Sequence, residues 1–278
     1  MAPDKYDAVW LSHSSIGDYL KCPRAYFLRN VYKNEKGHKI NLMAPALSLG
    51  IAVHNAIEDL KNYKAEDRFK KPLDASFEEE WKKVTGKLGG FKTAAEETEA
   101  KERGKLMIER VVKNPGLLLK KTVKLKEGHN GMPPNFYLSE EENLILCGKI
   151  DWLEYQEQDD SVRVIDFKTG RNEESGDSLQ LPIYALLLNA LQKRKVSGGA
   201  YWYLESGNIV PVVMPDIKES KEKVLSIARM IKQARQKNEF ACPRGTQGCF
   251  SCRPFEKILQ DQAEYIGLDN QNRELYLV

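Results

Sequence analysis

The stretch that most constrains this chain is residues 148–168. Two apolar runs, 144–153 and 162–167, flank a polar connection at 156–161. Short β-rich runs around a polar turn read as a β-hairpin. Asp151 interrupts the first run, Asp166 the second, and Lys168 follows Asp166 by two positions. Residues i and i+2 of a strand share a face, so Asp166 and Lys168 project together. An acid inside an apolar strand is costly to bury unless it is paired or binds a metal. Two such acids on adjacent strands, with a lysine beside one, point to a divalent-metal site. The competing reading is a surface hairpin with an ordinary Asp–Lys ion pair, since charge pairs on strands are common. The rest of the chain has to separate the two.

The segment 46–63 has helical periodicity, with Leu47, Leu49, Val53, Ile57 and Leu60 as its apolar positions. His54 and Glu58 fall one turn apart in it and share a face. A lone histidine on a helix is more often a packing residue than a ligand. The segment 179–191 is a strongly apolar helix whose substantial polar groups are Gln180 and Tyr184, again spaced i, i+4. Pro182 fits only near its first turn. Residues 200–204 and 209–214 suggest a second hairpin around Ser-Gly-Asn, and 217–237 an amphipathic helix. Residues 11–32 read as helix in two pieces, with Ser12, Ser14 or Ser15 as cap and Cys22–Pro23 at the junction. The second piece, 24–32, mixes basic and aromatic residues. It suits either a nucleic-acid path or an amphipathic core helix, with Arg24 leaning towards the former. Residues 61–125 are rich in helix formers and charge and carry no compact motif. They read as a helical insertion, with helices near 74–85 and 93–113. Lys120, Lys121, Lys124 and Lys126 form a basic stretch, fit for phosphates or for a solvated edge strand.

There are five cysteines, at positions 22, 147, 242, 249 and 252. An odd number without a secretory signal argues against a disulfide framework and for a reducing, cytoplasmic setting. Three cysteines cluster as C-x6-C-x2-C within a glycine-rich stretch. Cys22 is the natural fourth, because Cys147 lies in an apolar run and reads as buried. Four thiolates can hold zinc or an iron–sulfur cluster, and spacing does not separate them. The formal net charge is only +3, so bulk charge does not announce a nucleic-acid binder, although a basic cleft is compatible with it. No run approaches the ~20 apolar residues of a membrane span.

The order His54, Asp151, Asp166-x-Lys168, Gln180-x-x-x-Tyr184 resembles the RecB-type branch of the PD-(D/E)XK nucleases. So do the strings Gly-Lys-Ile-Asp-Trp-Leu, Val-Ile-Asp-Phe-Lys-Thr-Gly and Gln-Leu-Pro-Ile-Tyr. The one-plus-three cysteines resemble the iron–sulfur members of that branch, the AddB-type helicase–nuclease subunits and the CRISPR-associated exonucleases. The likeness runs from about 12 to 254, with 61–125 covered by no motif. Ile150 stands where the superfamily has its naming proline. No G-x-x-x-x-G-K-[ST] loop is present, so the expectation is a stand-alone nuclease or a subunit without its own motor.

The resemblance implies an α/β restriction-endonuclease-like core: a central mixed sheet flanked by helices, in a single nuclease domain over 1–278. A cysteine-ligated cluster would join segments 12–32 and 239–255. It implies Mg²⁺ or Mn²⁺ held by His54, Asp151, Asp166 and the Phe167 carbonyl. Lys168 would serve catalysis, with Gln180 and Tyr184 positioning it or the DNA. Cys22, Cys242, Cys249 and Cys252 would bind a 4Fe–4S cluster, with zinc as the alternative. The expected activity is a metal-dependent exonuclease on single-stranded DNA ends, with a helicase or a CRISPR-adaptation protein as partner and no membrane. Two alternatives are a catalytically silent DNA-binding or scaffold subunit and a zinc-binding regulatory protein.

Overall fold

A computed structural model describes residues 7–128 and 132–278. In chain order the elements are β1 (Val9–Leu11), α1 (His13–Lys21), α2 (Pro23–Tyr26), β2 (Ile40–Leu42), α3 (Pro45–Asp59), α4 (Leu73–Trp81) and α5 (Ala94–Lys113). Then come β3 (Asn135–Ser139), β4 (Leu144–Cys147), β5 (Trp152–Gln156), β6 (Ser161–Lys168), α6 (Gln180–Leu191), β7 (Lys195–Tyr203), β8 (Asn208–Val212) and α7 (Ile217–Lys237). Helix α8 (Arg253–Leu259) and strands β9 (Glu264–Leu268) and β10 (Glu274–Leu277) close the chain.

The apolar run 144–153 is not one strand. It divides at Gly148 into β4, which pairs with β1 and β3, and β5, which pairs with β6 in a different sheet. Asp151 therefore sits at the entry to β5 rather than inside a strand. Hydropathy cannot register a change of sheet, because both halves are buried. Gly148 is the local signal: a Cβ there would lie 2.9 Å from Leu187 Cδ1. The main sheet is mixed, in the order β5-β6-β7-β8, with β6 and β7 parallel and the outer pairs antiparallel.

Alternation along β6 sorts its side chains between two cores. Ile165 and Phe167 join Trp152 and Trp202 beneath α3, α4 and α5. Val164 joins the opposite core with Ile183 and Leu187 of α6 and Val224 and Ile231 of α7. Burying each such large apolar side chain is worth roughly 1.5–3 kcal/mol. Helices α4 and α5 thus cover one face of the sheet and share its core.

Helix α1 begins with a capping box: Ser12 Oγ accepts from Ser15 N, and Ser15 Oγ accepts from Ser12 N. Pro23 opens α2, and a π-helical turn follows over Phe27–Val31. Cys22 lies at the α1–α2 junction, as the proline suggests. Tyr26 and Phe27 stack on Phe240, so the aromatics of this segment are core. Arg24 pairs with Glu256 of α8 at 2.5 Å, a structural partner that its spacing did not reveal. The basic stretch runs beside β5 through one bridge, Thr122 to Glu154. Lys120 pairs there with Glu154 at 2.9 Å and Lys121 with Glu157. A third sheet, β2-β10-β9, has no counterpart in the expectations from sequence.

Arg68 is buried and stacks over Trp152 at 4.8 Å. It donates to the carbonyls of Leu60, Leu118 and Lys120, at 3.1, 2.6 and 2.5 Å. One guanidinium thereby satisfies three backbone acceptors from both ends of the α4–α5 segment. Arg68→Ala leaves those acceptors without their donor and opens a cavity beside Trp152. The expected cost is about 2–4 kcal/mol, or roughly 5–10 °C in Tm. A melting curve within experimental error of wild type would refute this role.

Candidate active site

The centre of the site is Asp166, on the α6 side of β6. Its Oδ1 accepts hydrogen bonds from Gln180 Nε2 at 2.7 Å and Tyr184 OH at 2.8 Å. Gln180 and Tyr184 lie one turn apart on α6, as their spacing requires, and meet at 3.1 Å. Gln180 Oε1 accepts from Lys168 Nζ at 2.6 Å. Lys168 Nζ also lies 2.9 Å from Asp166 Oδ2 and 2.7 Å from Glu174 Oε2, above the ring of Tyr201. The Asp166 contact is an ion pair without hydrogen-bond geometry, so Oδ2 is buried with no hydrogen-bond partner.

Asp151 reaches the same end of β6 from the entry of β5. Its Oδ2 accepts the Phe167 N–H at 2.9 Å and faces His54 Nδ1 at 3.4 Å. His54 and Glu58 share one face of α3, with His54 Nδ1 3.9 Å from Glu58 Oε1. The other oxygen of Glu58 is held by Lys149 at 2.8 Å and Lys61 at 3.1 Å. His54, Glu58 and Asp151 offer ligand atoms that all lie within 4.8 Å of one another. Asp166 stands beside this trio, close enough for its charge to act on His54.

Burial and the nearby Asp151 charge push Asp166 up to about 6, against the pull of Lys168 and Tyr184. Burial opposes ionisation of Asp151 too, but His54 and the Phe167 N–H outweigh it and hold the carboxyl below its ordinary value. Burial lowers His54, and the charges of Asp151, Glu58 and Asp166 more than reverse it. Burial likewise disfavours the Lys168 ammonium, and Asp166 and Glu174 overcome it, so the proton is held above the usual lysine range.

Two acids that resist sharing one buried place, one of them with an oxygen that meets no hydrogen-bond geometry, are what a cation would relieve. Carboxylate oxygens with a single imidazole suit Mg²⁺ or Mn²⁺. The residues present therefore fit a divalent ion.

The four cysteines of the second group also meet. Cys22, Cys242, Cys249 and Cys252 place their sulfurs within 4.8 Å of one another, and Cys249 and Cys252 are 3.8 Å apart. Cys22 and Cys252 are fully buried. Burial pushes Cys22 up to about 12, with the neighbouring thiols adding to it. For Cys249, burial is outweighed by hydrogen bonds from the backbone of Cys252 and Ser251, which draw the thiol down to about 6. Cys147 ends β4 away from this group, and burial raises its thiol to about 11.

Residues 10–257 match the family described as the PD-(D/E)XK nuclease superfamily. The chain belongs to this superfamily. No curated protein matches it. Members of the PD-(D/E)XK superfamily are usually metal-dependent nucleases, and the superfamily implies DNA as substrate. The mixed α/β fold agrees with a restriction-endonuclease-like core. No helix among the described residues is long and apolar enough to cross a membrane.

The structure gathers Asp151, Asp166, Lys168, Gln180, Tyr184 and His54 at one end of β6. Phe167 contributes its N–H to Asp151, and its ring packs in the core. The close trio of ligand atoms contains Glu58 rather than Asp166. Glu174 has no signal in the sequence, because its loop, 169–179, shows no periodicity that could aim it at Lys168. Lys149 and Lys61 grip Glu58 from separate segments. Lys149 adjoins the Ile-Asp pair, which is the one hint of its place.

The shifts fix a pH dependence. Folded Asp166 keeps its proton up to about pH 6, above its ordinary 3.8, so its ionisation costs stability at higher pH. The raised His54 acts in the same sense: its contribution is full below its ordinary 6.5 and is lost as pH rises past its folded value. Asp151 opposes them only in acid, where protonation removes its contribution. Metal-free protein should therefore melt progressively lower as pH rises from about 4, close to the ordinary 3.8 of Asp166, to about 7, by roughly 2–6 °C. Asp166→Asn should flatten that slope, and Mn²⁺ should raise the melting point of the wild type on the alkaline side. Identical slopes in wild type and variant under EDTA would contradict the coupling.

Proposed function

We propose that this chain is a metal-dependent DNA exonuclease acting on single-stranded ends. The observation that supports it best is the buried Asp166–Lys168 pair, braced by Gln180 and Tyr184 and faced by His54, Glu58 and Asp151. His54, Asp151 and Asp166 would hold Mg²⁺ or Mn²⁺, with the Phe167 carbonyl as the motifs imply and Glu58 added on proximity. A divalent ion there supplies a water of lowered pKa and polarises the scissile phosphate. Asp151, kept ionised by the Phe167 N–H and His54, is ready as a hard ligand. Gln180 and Tyr184 fix one oxygen of Asp166, and the other faces only the Lys168 ammonium. Lys168 keeps its proton at neutral pH and offsets charge gathering on the phosphoryl oxygens. Of its three oxygen neighbours, Glu174 alone comes from a loop. A substrate phosphate would replace Glu174 at that ammonium.

The RecB-type branch, with its AddB-type and CRISPR-associated members, is the placement we favour. A helicase or a CRISPR-adaptation protein is the partner class it carries, in DNA repair, recombination or CRISPR adaptation. On this reading 61–125 is an insertion into one nuclease domain, and 12–32 and 239–255 hold a 4Fe–4S cluster. Zinc has one observation in its favour. The 3.8 Å between Cys249 and Cys252 sulfurs equals the edge of a tetrahedron with bonds of about 2.3 Å.

Digestion of end-labelled single-stranded and duplex DNA with Mg²⁺ or Mn²⁺ should degrade single strands from their ends, and chelator should stop it. Asp166→Ala and Lys168→Ala should each slow cleavage by about 100-fold or more while the protein stays folded. Full activity in either purified variant removes the catalytic assignment. DNA binding without cleavage under either metal identifies a silent scaffold instead. Anaerobically purified protein should be brown, and Cys22→Ser should bleach it. A colourless protein with stoichiometric zinc replaces the cluster by a single ion.

A further inference from the structure

A groove of about 490 Å³ lies beside α1, lined by Ser14, Arg29, Lys33, Lys39 and Arg273 among others. Cations dominate it. Arg29 has Asp18 at 3.4 Å, and Arg273 has Asp269 at 2.5 Å. Lys33, Lys39 and the adjoining Arg235 have no carboxylate within ion-pair distance among the described residues. Arg235 donates only to Tyr26 OH, at 3.4 Å. Burial lowers Lys39, and the charges of Arg235, Lys33 and Arg273 lower it further, so these four cations converge on one place. Asp18 also lines the groove but is engaged by Arg29; Lys33, Lys39 and Arg235, paired with no carboxylate, repel one another, and an anion would relieve them.

One chain position links the groove to the site at β6. Ser14 lines the groove, and His13, the preceding residue, opens α1 near Lys168. Burial lowers the His13 imidazole, and the charges of Glu174 and Lys168 both act on it. The cations come from separate segments: the π-helical turn, the start of β2, the end of α7 and the β9–β10 turn. Four cations line this one groove, more positive charge than a single phosphate carries, which suits a chain of phosphates better than a single anion.

We infer that this groove holds the phosphate backbone of a single-stranded DNA substrate on its way to the β6 site, through Lys33, Lys39 and Arg235. The inference rests on the nuclease reading for the identity of the polyanion. Lys33 and Arg235 are exposed and Lys39 is partly so, so all three are open to a strand. Phosphate contacts position a nucleic acid without reading its sequence, and the preference expected here is for length and single-strandedness.

The test uses the full chain carrying Lys33→Ala, Lys39→Ala and Arg235→Ala together. Binding of a labelled single-stranded oligonucleotide is followed by anisotropy over a salt series, with Asp166→Asn in both proteins to prevent cleavage. The triple variant should bind about tenfold more weakly, and its log–log salt slope should fall by about 2, from three lost contacts. Lys33→Glu alone, at an exposed position, should also weaken binding. In the cleavage-competent background, hydrolysis of bis(4-nitrophenyl) phosphate, too small to span both places, should stay near the wild-type rate. Unchanged affinity and slope in both variants overturn the inference. So does inorganic phosphate that competes as strongly as the oligonucleotide, which would identify a single-anion site. Failure of the nuclease reading looks different: the oligonucleotide would bind through these cations and never be cut.

Discussion

One carboxylate, buried on β6 among apolar neighbours, sets the conditions that the surrounding fold meets. Asp166 cannot be left alone there, since an isolated buried charge is costly. Its partners arrive by topology. Strands β6 and β7 are parallel, and parallel neighbours need a crossover of a dozen or more residues. Helix α6 is that crossover, and it carries Gln180 and Tyr184. The antiparallel register of β5 on β6 pairs Trp152 with Ile165, which brings Asp151 up beside Asp166 at the end of the ladder. Helix α3, packed on the other face, brings His54 to within 6.0 Å of the Phe167 ring, centroid to centroid. The site lies where these layers meet at one strand end.

This arrangement is not the most stable use of those residues. A buried ion pair contributes little net stability once desolvation is counted, and here a second acid presses on the first. Asp166 is the group that yields, with its proton retained to about 6. Asp151 stays ionised because a backbone N–H and an imidazole are fixed on it. The same sheet thus makes one acid a ready anion and the other a group that ionises with difficulty until something positive arrives.

Much of this was legible in the sequence, for a geometric reason. The i, i+2 and i, i+4 rules are local, so Asp166 with Lys168, Gln180 with Tyr184 and His54 with Glu58 could be paired before any fold was known. Their motif order then joined pairs that geometry alone could not. What escaped depends on long-range choices. The break at Gly148 was hidden because both sides of it are apolar and buried. Strand β1 had no signal, and its last residue, Leu11, was read into the helix because the three residues lead straight into the Ser12 cap. Strands β2 and β10 pair across almost the whole chain, and neither has enough residues to show a period. Glu174 and the lysines around Glu58 come from loops and segment ends, where no periodicity fixes direction.

Charge shows most plainly why totals mislead. A formal net charge of +3 says nothing of where the charges sit: some are paired, as Lys120 and Arg163 are with the buried Glu154. The residue left over is not spread evenly. Buried acids crowd together at the end of β6, and beside α1 Lys33, Lys39 and Arg235 lie together with no carboxylate at ion-pair distance among the described residues. The two are linked along α1, where Ser14 lines the groove and His13 feels the charges of Lys168 and Glu174. Each would be unfavourable in a chain that needed only to fold, and each is complementary to part of a nucleic acid strand: the acids to the metal that accompanies it, the cations to its phosphates.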